Sequence, residues 1–565
     1  MAQSPALTLK KVKDYADWKL FVFLVLFMDV KLAAKVLAIV LIFILQPQFR
    51  PRINFKNPRL PLFYPLIIVA ALTSWLFNLH NPPHYVSVFL TGMAFWIICL
   101  ACSHQLKREI EEKDTALIHR TLLLFFLLNA AVSILNLAAI VWEIKALNPY
   151  LYQGQYQKYF ISTGDFIKGL TFDTSTTNAF INAFGMVYFL QRKNGWMFVL
   201  CTAVMLLTAS NFTNILLLAV LALLFAFRTD KNQKSFIVIF FCMLCVFMGK
   251  VSPQNNSYVF NVVEHILGND SKTTIQPDTS QQLPVYLRPD KSLTPDERRQ
   301  KTAYLYLDSI NRAKTDSLNA VRSVKPVGNA AIPFIPKPNL NAEPYQERKF
   351  TDGEQNLLLA FIAAHQAQLP VSGKPYQDSR LPGKAESWLQ TVHYLKQHPA
   401  KMIVGAGLGN FSSKLAFRTT NLKFTGGWPQ KYIYIHPDFL KNHLDLYLNF
   451  FSKKPGLHSL SNSPYSTYDQ MLGEYGIIGL LLFVVTYLGY FFKHYKKLTY
   501  GLPILLLMTA AFTSDYWFEQ LSILVLFELM LFLDIKEHQP VVKAPVALPC
   551  YQAEKEQPNP LAYGW

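Results

Sequence analysis

Apolar runs close to bilayer length recur along this chain, separated by short polar turns. A helix needs about 20 predominantly apolar residues to cross the hydrocarbon core, with about 17 to 25 tolerated. Runs near that length occupy 60–79, 84–104, 119–143, 173–191, 195–210, 212–228 and 235–250, and again 473–492, 501–514 and 518–535. The stretch 18–46 is also apolar but is interrupted by Asp29, Lys31 and Lys35. Charge at mid-bilayer is costly, so the pattern predicts two short helices turning near Asp29–Lys31, and about twelve spans in all.

The expected fold is therefore an all-α integral membrane protein. Spans one to nine fill residues 1–250, a large and mainly helical external loop fills 251–472, spans ten to twelve fill 473–535, and a polar tail covers 536–565. Within the loop, Thr294–Ala320 reads as helix with Thr294 as N-cap and Pro295 at the first helical position. Gly353–Gln368 also reads as helix, and a Pro-rich connector around Pro326–Pro344 separates the two. From Ala385 the apolar positions Trp388, Leu389, Val392 and Leu395 recur at helical spacing, and His398-Pro399 ends that helix. The first apolar run lacks a small-residue cleavage site and is expected to stay as an anchor.

Charge sharpens the topology. The chain has a formal net charge of +18, yet only 16% of its residues are charged, against about 25% in soluble domains. No basic stripe interleaved with base-stacking aromatics is present, so no nucleic-acid partner is expected. Lys and Arg instead fall in alternate turns: Lys10–Lys13, Arg50–Arg59, Lys107–Lys113, Arg192–Lys193, Arg228–Lys234, Lys493–Lys497 and Lys536. The intervening turns His80–His84 and Ser514–Trp517 contain neither. The preference of basic residues for short cytoplasmic loops then places both termini inside and the 251–472 segment outside. Cys99/Cys102 and Cys242/Cys245 lie within apolar runs with no accompanying His, so no metal site is expected, and the cysteine-free external loop folds without disulfides.

Candidate chemistry gathers beside the external loop. Gly405-Ala-Gly-Leu-Gly-Asn-Phe411 is glycine-rich but is neither a Walker loop nor a dinucleotide fingerprint, and reads first as a tight structural turn. The aromatics Trp428, Tyr432, Tyr434, Phe439, Tyr447, Phe450 and Phe451 allow either an interfacial helix or a platform for sugar faces or a polyprenyl chain. The stretch Ser461–Gly479 sets Tyr465, Ser466, Tyr468, Asp469, Gln470 and Glu474 at the mouth of the tenth span, with Asp515 and Glu519 at the outer end of the last spans. Acids converging on one side of a bilayer point to a polar cavity.

Taken in order, these segments resemble the O-antigen ligase and polymerase superfamily, bacterial membrane glycosyltransferases that use polyprenyl-diphosphate-linked glycans. Arg380, Trp388, His398-Pro399 and Gly405–Phe411 resemble the family's Arg…Trp…Pro…Gly-x-Gly-x-Gly-Asn-Phe pattern. Tyr465–Gly479 resembles its His-Asn-x-Tyr-Leu…Glu-x-Gly-x-x-Gly, and Leu207-Thr-Ala-Ser210 its Thr-x-Ser-Arg. The resemblance implies a GT-C-like plan and a bacterial inner-membrane enzyme that needs no metal or cofactor. It also implies a polyprenyl-diphosphate glycan donor and a glycan, lipid or protein acceptor.

Two positions depart from the family pattern. The family's catalytic histidine is Tyr465 here, and the arginine after Thr-x-Ser is Asn211. Bidentate arginine suits diphosphate oxygens, so the resemblance points to Arg380 and Arg418 as donor ligands, with Lys168 supplying charge that Asn211 lacks. A tyrosine is a poor general base at an ordinary pKa near 10, which leaves Glu474, Asp469 and His458 to replace the histidine, or Tyr465 to orient the acceptor. A chain polymerase of the same superfamily, a transporter and an inactive scaffolding homologue are the alternative readings.

Overall fold

A computed structural model describes residues 14–45, 58–77, 84–151, 164–253, 301, 382–420, 432–451 and 460–538. The helices predicted at 294–320 and 353–368, the connector between them, Trp428 and the tail beyond 538 lie outside the described residues, as do Arg380 and His458. Among the described residues every regular element is helical.

The first half contains α1 (Trp18–Met28), α2 (Leu32–Leu45), α3 (Phe63–Phe77), α4 (Tyr85–Glu112), α5 (Thr115–Ile144), α6 (Ser175–Gln191), α7 (Gly195–Leu207), α8 (Asn211–Phe227) and α9 (Lys231–Val246). The chain breaks at Asp29–Lys31, where the charge pattern predicts a turn, and α2 packs back along α1. Asp230 starts α9 with a reciprocal cap: its carboxylate accepts from the Gln233 backbone N–H (2.9 Å) while the Gln233 side chain accepts from the Asp230 N–H (3.0 Å).

Among the described residues, four helical stretches are long and apolar enough to cross a membrane: Tyr85–Glu112, Thr115–Ile144, Lys231–Val251 and Thr467–Phe492. Most other apolar helices have 11 to 17 residues, which at 1.5 Å per residue reach about 17 to 26 Å. They are shorter than the apolar runs because the chain turns early. The run 195–210 ends as helix at Leu207, where Ala209 takes φ 50°; the run 518–535 is cut at Leu521, with φ 68°. Large apolar side chains stand on outward faces of α4, α5, α8 and α9, including Leu90, Leu135, Phe227 and Phe241. So much exposed apolar surface suits acyl chains rather than water, and the chain is a helical membrane protein.

The innermost helix is α19 (Ser522–Glu537), in which every residue from Ser522 to Ile535 is buried. It carries Glu528 inside the bundle, where Oε1 accepts from the Tyr64 and Tyr487 hydroxyls. A carboxylate at that depth is costly. It is accommodated because two phenols from facing helices converge on it.

Basic turns gather at one end of the bundle. Lys19 pairs with Glu109, Arg59 with Glu111 and Arg192 with Glu537; Arg228 donates to the Leu498 carbonyl, and Lys536 to those of Ile110 and Lys113. At the opposite end lie the Asp29 turn, the 164–173 loop and the remaining helices: α10 (Gly383–Gln397), α11 (Pro399–Val404), α12 (Lys414–Arg418), α13 (Pro437–Asn442) and α14 (Leu444–Phe451). Of these, α10 and α11 pack on α15 (Thr467–Leu482), which continues through a wider π turn (Phe483–Leu488) into α16 (Gly489–Phe492). α17 (Gly501–Ala511) and α18 (Trp517–Gln520) complete the chain before α19.

Part of the aromatic stretch is taken up by cores within the protein. Phe439 and Tyr447 are fully buried and form a small core with Phe417, Leu444, Leu448 and Tyr516; Tyr434 joins the main core. Tyr432 remains exposed.

α15 is not continuous. Gly476 takes φ 67° and ψ −163°, which breaks the helix and releases the Gly473 and Glu474 carbonyls. The glycine-rich turn supplies replacements: Ala406 N–H donates to Gly473 O (2.9 Å) and Gly407 N–H to Glu474 O (3.0 Å). A Cβ on Gly405 would lie 2.2 Å from the Glu474 carbonyl carbon, and one on Gly476 would lie 2.4 Å from the Ile403 oxygen. Gly405→Ala is therefore expected to destabilise the fold by about 3 kcal/mol or more. Thermal unfolding of the purified protein in detergent measures this, and an unchanged midpoint would rule out the docking as drawn.

Candidate functional site

The docked turn assembles a polar cluster at the end of the bundle opposite the basic turns. Its far side is held by aromatic contacts: the Tyr85 hydroxyl donates to Leu408 O (2.9 Å), Asn410 Nδ2 to Ala406 O (3.0 Å) and the Tyr434 hydroxyl to Asn410 Oδ1 (2.7 Å). These bonds account for the glycines and Asn410 as the fixings of a structural turn, the first of the readings the sequence allows. Directly after it, Ser413 caps α12 by accepting from Ala416 N–H (3.0 Å). That cap fixes Lys414 and Arg418, four residues apart, on one side of the short helix.

Lys414 and Arg418 lie within electrostatic reach of Glu519, and Lys414 also of Asp515 and Lys35. The loop 164–173 adds Asp173, whose charge reaches Lys35, Asp515 and Tyr465. This loop is pinned by asparagines: Asn136 Oδ1 accepts from the Lys168 and Gly169 N–H groups (3.2 and 3.0 Å), and Asn129 Oδ1 from Leu170 N–H (3.1 Å). Lys168 is thus held by its backbone, and the charge of Asp173 enters the cluster.

Glu474 is fully buried. Its carboxylate faces the Ser413 hydroxyl and the backbone N–H groups of Gly409 and Phe411, but neither oxygen closes a hydrogen bond of ordinary geometry. Glu519, within electrostatic reach of it, accepts from Gln470 Nε2 (2.6 Å). Tyr465 packs between Tyr447, Phe450 and Tyr516 at ring separations of 5.4 to 5.9 Å. Burial, with the Asp515 charge added, pushes its hydroxyl well above the ordinary value, only partly opposed by Arg418. Tyr465 is accordingly a hydrogen-bond donor and not a base.

Asp469 takes a different position from Glu474. It is buried with Oδ2 accepting from the Ser387 hydroxyl (2.6 Å) and standing 3.6 Å from His443 Nε2. Burial brings His443 down to about 3, so its ring is neutral near pH 7 and the contact is not an ion pair there. The ring stacks on Phe411 (5.0 Å), which stacks on Tyr394 (4.6 Å). Ser387, His443 and Asp469 look like a hydrolytic triad by residue type, but the serine donates to the aspartate and all three are enclosed. They lock α10 and α13–α14 onto α15.

Of the residues singled out from sequence, the structure brings Glu474, Tyr465 and Arg418 into one neighbourhood, sets Asp469 in the adjoining lock and holds Lys168 on the loop beside it. Sequence reasoning missed Lys414, Asp173 and Lys384. The first had a local signal, a Lys-x-x-x-Arg spacing directly after the glycine motif. Lys384 had none: its ammonium is surrounded by the carbonyls of Tyr465 (2.6 Å), Ser463 (3.3 Å) and Ser514 (3.4 Å), all contributed by distant segments.

Among the described residues no group of three or more His, Cys, Asp or Glu side chains is disposed to hold a metal ion. No family model, curated protein or solved structure matches the chain.

Burial lowers Lys384 from 10.5 to about 7, against the opposing pull of Asp515 and Asp469. Between about pH 7 and pH 10 the unfolded chain holds a proton that the folded protein has released, so stability rises with pH across that window. Lys384→Met removes this titration and is expected to flatten the rise in melting temperature from pH 7 to about pH 9. A slope equal to that of the parent would show that Lys384 stays charged when folded.

Proposed function

We propose that this chain is a membrane glycosyltransferase that moves an oligosaccharide or polysaccharide from a polyprenyl-diphosphate carrier to an acceptor hydroxyl at the outer face of a bacterial inner membrane. Twelve spans with the 251–472 segment outside belong to this reading. The observation that carries it is the buried, unpartnered Glu474 carboxylate next to the Lys414–Arg418 helix. The two sequence segments that resemble the ligase and polymerase superfamily also touch each other through Gly405–Gly407 and Gly473–Gly476.

The chemistry divides among these groups. The acceptor oxygen attacks the anomeric carbon, the carbon–oxygen bond to the diphosphate breaks, and the diphosphate leaves with the bonding electron pair. Arg418 and Lys414 offset the charge that develops on the leaving group, which arrives already activated. Glu474 takes the acceptor proton: a buried carboxylate whose oxygens close no hydrogen bond of ordinary geometry has room to receive one from a bound hydroxyl. Tyr465, held as a donor, orients the acceptor oxygen. Arg380 belongs to the same reading as a second diphosphate ligand.

A transporter is the second reading, favoured by the break at Gly476 and by Glu528 deep in the bundle. Deletion of the gene followed by analysis of surface glycans separates the cases. Accumulated single repeat units would mark a polymerase, finished polymers lacking their attachment would mark a ligase, and unaltered glycans would remove glycosyl transfer altogether. In the purified enzyme, Glu474→Gln is expected to lower turnover by about 100-fold or more with donor binding kept, while Arg418→Ala weakens donor binding. An undiminished rate in Glu474→Gln would clear that residue of the base role.

A further inference from the structure

A second cationic site lies at the other end of the bundle. There a cavity of about 450 Å³ opens between the start of α3, the end of α4, the π turn with α16 and the end of α19. Its polar lining is Arg59, Lys107, Glu111, Lys493 and His494, and its apolar wall includes Leu62, Val485 and Ile535. On α4, Lys107 stands 22 residues beyond Tyr85, which touches the glycine-rich turn, a separation of about 33 Å along the helix.

The charges in this cavity do not balance. Glu111 is engaged by Arg59 through three contacts of 2.6 to 3.1 Å. Lys107 is only 7% exposed, and among the described residues it has no hydrogen bond or ion pair; its ammonium stands 4.9 Å from the centre of the Phe532 ring. Lys493 has no ion pair among the described residues either, and it is exposed at the mouth. A desolvated ammonium with an aromatic face on one side and a cavity on the other is stabilised by an anion in that cavity.

The walls indicate what carries the anion. The cavity floor is the π turn Phe483–Leu488, a widening of the helix that sets Val485 and Thr486 into the lining; such turns recur at functional sites. Val485 is 63% exposed, and Ile477, Ile478, Leu481 and Val484 continue an outward apolar stripe from it along α15. Tyr490 fixes the opposite wall by donating to Arg59 O (2.8 Å). The cationic pocket is thus continuous with a lipid-facing track.

We propose that this cavity binds the phosphate of an anionic phospholipid, held between Lys107 and Lys493 with one acyl chain along the α15 stripe. A free phosphate offers the same charge, but the apolar track favours the lipid as its source. Basic pockets between membrane helices are suited to such headgroups. The site is separate from the proposed glycosyl-transfer cluster, so it stands or falls independently of that function.

Native mass spectrometry of the delipidated full chain in detergent, titrated with dioleoyl-phosphatidylglycerol or dioleoyl-phosphatidylcholine, tests it. One phosphatidylglycerol is expected to bind about tenfold more tightly than phosphatidylcholine, and Lys107→Gln should erase the difference. Since removing a buried lysine can unsettle the fold, Gly489→Leu provides a second variant. A Cβ there meets only the Val484 oxygen at 3.5 Å, an ordinary contact, and Gly489 lines the cavity, so the added bulk should also abolish the preference. The pair Lys193→Gln/Lys231→Gln removes two charges, one more than Lys107→Gln, from the same end of the bundle outside the cavity and should keep it. Equal binding of the two lipids, an equal loss in the Lys193/Lys231 control, or displacement of the lipid by excess inorganic phosphate would each overturn the proposal.

Discussion

Inside a bilayer a backbone carbonyl has no water to turn to, so a helix can be interrupted there only where another segment completes its hydrogen bonds. That constraint organises this protein. The interruption at Gly476 leaves the Gly473 and Glu474 carbonyls open, and the N–H groups of Ala406 and Gly407 fill them. Glycine is required on both sides because the two backbones meet without room for a side chain. Once the turn is seated, Ser412 donates to Asp469 O (2.7 Å), α12 begins at Ser413, and Phe411 slides between Tyr394 and His443. The positions of the cationic helix, of Glu474 and of the lock around Asp469 all descend from that contact.

The polar groups gathered there are treated in two ways. Some are well used: Lys384 donates to three carbonyls, and Asn129 donates to Asn178 Oδ1 and accepts from the Leu170 N–H. These rigidify the end of the bundle, since each removal would strand a buried partner. Others have capacity left over, chiefly the Glu474 carboxylate and the Arg418 Nε. Unused hydrogen-bonding capacity at a buried position leaves a group able to engage a bound molecule, and in Glu474 it lies beside a pair of cations.

Much of the architecture was legible from the order of apolar and charged residues. Asp29, Lys31 and Lys35 announced a break between two helices, and the alternation of basic turns anticipated that Arg59, Lys107–Lys113, Arg192 and Lys536 would share one end. Early helix ends were not legible, because Ala209 and Leu521 adopt left-handed backbone conformations that their residue types do not signal. The site was legible in part. Glu474, Tyr465 and Arg418 stand beside recognisable motifs, whereas Ser387, His443 and Lys384 owe their places to segments about 50 to 130 residues away, and no local pattern encodes such a meeting.

The seam between the glycine-rich turn and the broken helix also sets an order of assembly. The turn emerges from the ribosome well before the helix that it completes, yet it has nothing to bind until that helix is in the membrane. Residues 467–482 must therefore enter the bilayer with their own carbonyls satisfied, as an unbroken helix, a form that Gly476 permits. The bend is then acquired on docking, in exchange of one set of backbone bonds for another. Docking of the turn is for that reason a late event in biogenesis, after residues 467–482 have been inserted.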